Sequence, residues 1–150
     1  KSIDGHGAGK GRVIGIDLLD IDHTPGVEFT VMDFLDHDAP ARLKAMLSTD
    51  GGDGRADAVI SDMAANTTGH KKTDHLRIVH LGEIAIEFAC EVLKPGGTYL
   101  AKVLRGGTEG EMLKMMKKDF ASVRHLKPMA SRDDSAELFV LAMGFRGGKG

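Results

Sequence analysis

The chain has 150 residues, 41% of them hydrophobic and 28% charged, with a net charge of −2 at neutral pH, the proportions of one soluble globular domain able to bury a core. Its single cysteine, Cys90, excludes an internal disulfide framework, and no run approaches the roughly 18 apolar residues of a membrane span, so a cytoplasmic protein without membrane attachment or signal peptide is expected. The near-neutral charge argues against coating nucleic acid, although residues 1–75 carry −5 and residues 76–150 carry +3, which suits a small cationic or hydroxyl-bearing ligand on one half and phosphate on the other.

In chain order, Lys1 to Lys10 is a Gly-rich polar start. Gly11 to Asp17 (GRVIGID) is a short apolar run closing on an acid and predicts a buried parallel strand. Val27 to Thr30 predicts a second strand, followed at once by Met32-Asp33-Phe34. Ala39 to Leu47 has helical spacing, and Ser48 to Arg55 (STDGGDGR) is a turn-rich loop. Asp57 to Gly69 (DAVISDMAANTTG) reads as a buried strand through Ala58, Val59 and Ile60 that spills after Asp62 into a small-residue turn.

Thr73 to Leu93 carries the clearest helical pattern, with Leu76, Val79, Ile84, Ile86, Phe88, Ala89 and Val92 recurring at three and four, closed by the breakers Lys94-Pro95-Gly96-Gly97. Thr98 to Leu104 predicts another buried strand. Glu109 to Phe120 is amphipathic through Met112, Leu113, Met116 and Phe120. Val123 to Leu126 and Glu137 to Phe145 are the last strands, and with no helix between them they are expected to pair antiparallel. Alternating strands and helices define an α/β fold with a mostly parallel sheet, in a single domain over 1–150.

In such sheets ligands bind beyond the carboxyl ends of the strands. Asp17 and Asp62 stand at such ends, and Asp33 follows one closely. A carboxylate at Asp17 can take a ribose diol, because two syn hydroxyls match its two oxygens, or it can cap a turn. Asp33 can accept from an exocyclic amine, or be a solvated turn acid beside Asp36 and Asp38. Lys102 is a charge inside an apolar run. Burial would disfavour its ammonium form unless a carboxylate such as Asp62 or Glu137 pairs with it. The seven histidines show no metal-ligand spacing, so no metal is expected, and Cys90 sits on the apolar side of its helix as a core residue.

SDMAANTTG, LKPGGTYLAKVLRGG and SAELFVLAMGF together resemble the FtsJ-type 23S ribosomal RNA 2′-O-ribose methyltransferases, over about Gly11 to Phe145. The resemblance implies a Rossmann-like S-adenosylmethionine-dependent methyltransferase acting on a uridine 2′-hydroxyl of 23S rRNA in the large ribosomal subunit. It further implies that Asp62, Lys102 and Glu137 are the last three members of a Lys-Asp-Lys-Glu catalytic set. Asp17 would take the cofactor ribose and Asp33 the adenine amine, with Leu18, Phe34 and Asp62 beside them in the cofactor set.

Ala65 and Leu104-Arg105 depart mildly from the family pattern. The family's first catalytic Lys and its Gly-rich cofactor loop have no counterpart within Lys1–Gly150, so an N-terminally incomplete domain is expected, lacking the first strand between Gly11–Asp17 and Asp57–Asp62. Two other classes compete. A nicotinamide-dependent oxidoreductase would need a GxGxxG that the chain does not show, and a non-catalytic RNA-binding remnant would bind RNA without the cofactor. Lys71-Lys72 and Arg105 are candidate RNA contacts.

Overall fold

The computed structural model describes residues 12–17, 25–49, 53–62, 71–104, 111–126 and 137–147. They fall in two compact units, Lys1–Gly54 and Arg55–Gly150.

In the first unit, β1 (Val13–Asp17) and β2 (Val27–Val31) pair in parallel, from Val13↔Val27 to Asp17↔Val31. Helix α1 (Ala39–Ser48) follows, with Pro40 in its first turn, where a missing N–H costs no helical hydrogen bond. Its buried residues Ala39 and Leu43, with Met32 just after β2, are the buried apolar side chains among the described residues of this unit. Arg12 ties the three elements together. Its guanidinium donates to both Glu28 carboxylate oxygens, at 3.0 and 2.9 Å. It also donates to the Met46 and Thr49 carbonyls at 3.1 and 2.7 Å, so a strand-start cation satisfies acceptors that a helix end leaves open. The hydrogen bond from Arg12 holds the Glu28 carboxyl below its usual range.

In the second unit, β3 (Ala56–Ser61), β4 (Leu93–Leu104), β5 (Phe120–Leu126) and β6 (Glu137–Phe145) form one sheet in the order β3-β4-β6-β5. β3 and β4 are parallel, and β6 is antiparallel to both β4 and β5, so three strands run one way and β6 alone runs the other. That is the expected mostly parallel sheet with an antiparallel C-terminal pair.

Helices α2 (Lys71–Val92) and α3 (Glu111–Asp119) pack on it, α2 against β3 and β4, α3 against β5 and β6. The covered face is set by alternation. Tyr99↔Ala142 and Ala101↔Val140 are opposed pairs with all four side chains buried. Against them α2 turns Leu81, Ala85, Ile86, Phe88, Ala89 and Val92, spaced as one helical stripe. Phe120 and Phe145 close the far end with ring centroids 5.3 Å apart.

Four expectations change. Ala58–Ile60 is not buried through its length, since Ile60 is 73% exposed and only alternate residues turn inward. Leu76, expected on the apolar stripe of the long helix, is exposed. The breakers after α2 do not separate helix from strand. β4 begins at Leu93, and Lys94-Pro95-Gly96-Gly97 forms an irregularity in it, between the Ala56↔Leu93 and Ala58↔Thr98 steps. Gly96 adopts φ +86°, which favours glycine, whereas at Gly97 a Cβ would lie 2.9 Å from the Lys94 carbonyl oxygen and 3.1 Å from that of Asp57. Similarly, Phe120 opens β5 instead of closing the preceding helix.

Candidate active site

Each unit presents carboxylates at the carboxyl ends of parallel strands. In the first unit, Asp17 is the last residue of β1 and its carbonyl accepts from the Met32 N–H at 2.9 Å. That bond carries the β1–β2 pairing one step past the strands and sets Asp33 just beyond it. Asp33 Oδ1 accepts from the Leu35 N–H at 2.9 Å, and its carbonyl accepts from the Asp36 N–H at 3.0 Å, a turn closed by its own acid. The turn-acid role weighed from sequence is therefore real, and it fixes the direction in which the carboxylate points. Phe34 sits half-buried in the same turn. Leu18 lies outside the described residues.

In the second unit, β3 ends at Ser61 and Asp62 follows. The parallel ladder runs Ile60↔Leu100 and Ser61↔Ala101, so its next step sets Asp62 opposite Lys102. The side chains meet there, with Lys102 Nζ 3.6 Å from Asp62 Oδ1. The expectation of a buried lysine is corrected. The Lys102 side chain is 32% exposed and that of Asp62 72%, because they stand on the sheet face opposite α2, where Ile60, Met143 and Leu126 are also exposed. An exposed pair of this kind adds little stability. What it does is hold an ammonium and a carboxylate together at a strand end.

Glu137 begins β6 and pairs with Leu104, two ladder steps from the Lys102↔Phe139 pair. Its backbone is thus brought beside the same end of β4, while its side chain lies outside the described residues, as do Arg105 and the side chains of Lys71 and Lys72. Among the described residues no group of three or more His, Cys, Asp and Glu could hold a metal ion, and no helix is long and apolar enough to cross a membrane.

Two further polar groups belong to the α2 side of the sheet: Tyr99, which carries no marked signal in the sequence, and Cys90, which the sequence reads as core. The phenol of Tyr99, the only tyrosine, shares a hydrogen bond with the Ser61 hydroxyl, and burial raises its pKa while that bond works the other way. The Cys90 thiol donates to Asp119 Oδ2 at 3.7 Å, and burial, with the Asp119 charge next, pushes it up to about 12. That state suits a core thiol and not a nucleophile.

Strands delivering carboxylates and a lysine at their carboxyl ends, in an α/β sheet with one antiparallel strand set between two parallel ones, are the architecture of a methyltransferase fold. The model of the FtsJ-like methyltransferases matches residues 5–145, and the chain belongs to that family. It is 62% identical over 142 residues to the ribosomal RNA large subunit methyltransferase E of Bradyrhizobium sp. strain BTAi1, covering 95% of this chain and 59% of that protein. It is 63% identical over 139 residues to the protein of the same name from Xanthobacter autotrophicus, covering 93% and 53%. The chain therefore spans a little over half the length of these curated relatives. A crystal structure from Plasmodium falciparum, of a protein assigned as a ribosomal RNA methyltransferase, superposes with a TM-score of 0.73 at 26% identity, over 92% of this chain and 74% of that one.

Proposed function

We propose that the protein transfers a methyl group from S-adenosylmethionine to the ribose 2′-hydroxyl of a uridine in 23S rRNA of the large ribosomal subunit, as a cytoplasmic enzyme built on one methyltransferase domain. The observation that carries this reading is the Lys102–Asp62 pair at the carboxyl ends of two adjacent parallel strands, in a chain of the FtsJ-like family. Relatives 62% and 63% identical bear the name of a ribosomal RNA large subunit methyltransferase, which supports the substrate class.

The donor set of the first unit fits such a cofactor. Asp17 ends one parallel strand and Asp33 follows its neighbour, so that one carboxylate can accept from a ribose diol and the other from an adenine amine, with Leu18 and Phe34 adjacent in sequence. S-adenosylmethionine supplies an electrophilic methyl group on a sulfonium sulfur. The protein's task is the other reactant. A ribose hydroxyl is a poor acid, and its oxygen becomes nucleophilic only as its proton is drawn away. A neutral amine at Lys102 would take that proton, whereas an ammonium would stabilise the developing oxyanion. The carboxylate 3.6 Å away favours the ammonium, so Lys102 donates a hydrogen bond to the developing oxyanion while the Asp62 carboxylate takes the hydroxyl proton as the methyl group is transferred, with Glu137 orienting the pair. Holding the oxygen in line with the methyl group supplies much of the remaining acceleration.

The test is Lys102→Ala, assayed on unmodified large ribosomal subunits. Methyl transfer should fall roughly a hundredfold to ten-thousandfold with thermal stability nearly unchanged, since the pair is solvent-facing. Near-normal turnover in this variant would sink the reading.

A further inference from the structure

Asp62 lies past the last ladder step of β3, and among the described residues its own sheet face offers it the Lys102 ammonium but no apolar cover, the nearby Ile60 being 73% exposed. On the other face the chain does something different. Ser61 follows Val59 by two residues, Val59 is opposite Tyr99 in register, and Ser61 is opposite Ala101, so the Ser61 and Tyr99 side chains stand on the same face one diagonal step apart. Tyr99 is 2% exposed beneath α2, and its hydroxyl reaches Ser61. A buried phenol has to find a partner. Here the partner it takes belongs to the residue that immediately precedes the carboxylate.

We propose that Tyr99 and Ser61 are positioning residues, a hydroxyl pair of one buried and one half-buried side chain that fastens the end of β3 to β4 and thereby sets the Asp62 carboxylate against Lys102. The two pairs work back to back through the sheet, Tyr99–Ser61 on the covered face and Lys102–Asp62 on the exposed one. A hydrogen bond inside the protein is more directional and less easily replaced by water than the exposed ion pair it supports. This rests on the reading of Asp62 as part of the methyl-transfer site.

The experiment uses Tyr99→Phe and Ser61→Ala in the full-length protein, with large ribosomal subunits and S-adenosylmethionine. Each should lower kcat roughly fivefold to tenfold with the KM for subunits unchanged, and the double variant should be no slower than the slower single one. On an Asp62→Asn background, in single turnover, Tyr99→Phe should cost nothing further, because its effect passes through that carboxylate. If Tyr99→Phe slows the Asp62→Asn variant as much as it slows the wild type, the hydroxyl is merely structural and the proposal is overturned.

Amide hydrogen exchange at Ile60 to Asp62 is read in the same proteins whatever their activity. Faster exchange there in both single variants, with Leu100 and Ala101 unchanged, supports the fastening, and unchanged exchange overturns it. A wild-type protein that transfers no methyl group would defeat the functional reading alone, leaving the exchange data to decide whether the hydroxyl pair holds the strand end.

Discussion

Cys90 shows how one residue's chemistry is set by what surrounds it. Half-buried on α2 and donating to Asp119, its thiol is pushed up to about 12, by burial first and the neighbouring carboxylate next. An ordinary thiol near 8.5 is about one-quarter thiolate at pH 8, whereas a group near 12 is ionised at roughly one part in ten thousand. Alkylation of the native protein by iodoacetamide at pH 8 should therefore run roughly a thousandfold slower than that of a free thiol. It should climb about tenfold per pH unit up to pH 10, and Asp119→Asn should speed it. A rate that levels off near pH 9 would refute this environment. The sequence placed Cys90 in the core because its helical neighbours are apolar, whereas the structure leaves it half-buried, its thiol bonded to Asp119. Lys102 was legible for the opposite reason, a charge in an apolar run, and Asp62 was named as a possible partner from its strand-end position. Its burial was misjudged, since periodicity reports which residues are apolar and not what covers them.

At the scale of elements, the start of β4 is the most sharply constrained passage. Two adjacent glycines serve different physical ends there. Gly96 needs a positive φ but has nothing within 4 Å of a Cβ, while Gly97 has no such φ and would drive a Cβ into two backbone carbonyls. Alanine at Gly96 should cost about 1 kcal/mol of backbone strain. Alanine at Gly97 forces strand backbone to move and should cost roughly 2–3 kcal/mol. Thermal unfolding of the two variants checks this: Gly97→Ala should melt well below Gly96→Ala, and the reverse order would mean that the close approach of Asp57 and Lys94 is not a constraint. The sequence showed these glycines as a stop between helix and strand. It could not show that Leu93 already pairs with Ala56, because strand pairing is a long-range choice and the local signal for a breaker is the same in a loop and in a bulge. The helical stripes were legible since each is a local period, while the alternation of the strands was hidden in runs read as wholly buried, and the Tyr99–Ser61 bond joins residues 38 positions apart.

At the scale of the whole molecule, the functional reading makes a claim that does not depend on turnover. A ligand that binds only the native state stabilises it by mass action, by about 2.7 kcal/mol when present at a hundred times its Kd. For a protein of this size each kcal/mol moves the melting temperature by roughly 2–4 °C, so saturating S-adenosylmethionine should raise that of the full-length protein by roughly 5–10 °C. NADH, the ligand of the competing oxidoreductase reading, should not. Asp17→Asn keeps the size of the side chain but leaves one acceptor oxygen where a ribose diol presents two hydroxyls, so it should abolish most of the shift. Asp17 is exposed, and its backbone carbonyl accepts from the Met32 N–H; that bond survives the substitution, and the shift is read against the melting temperature of the unliganded variant itself. A full shift in Asp17→Asn would remove that carboxylate from the cofactor site while leaving the methyltransferase reading in place. A shift with NADH and none with S-adenosylmethionine would overturn the reading itself.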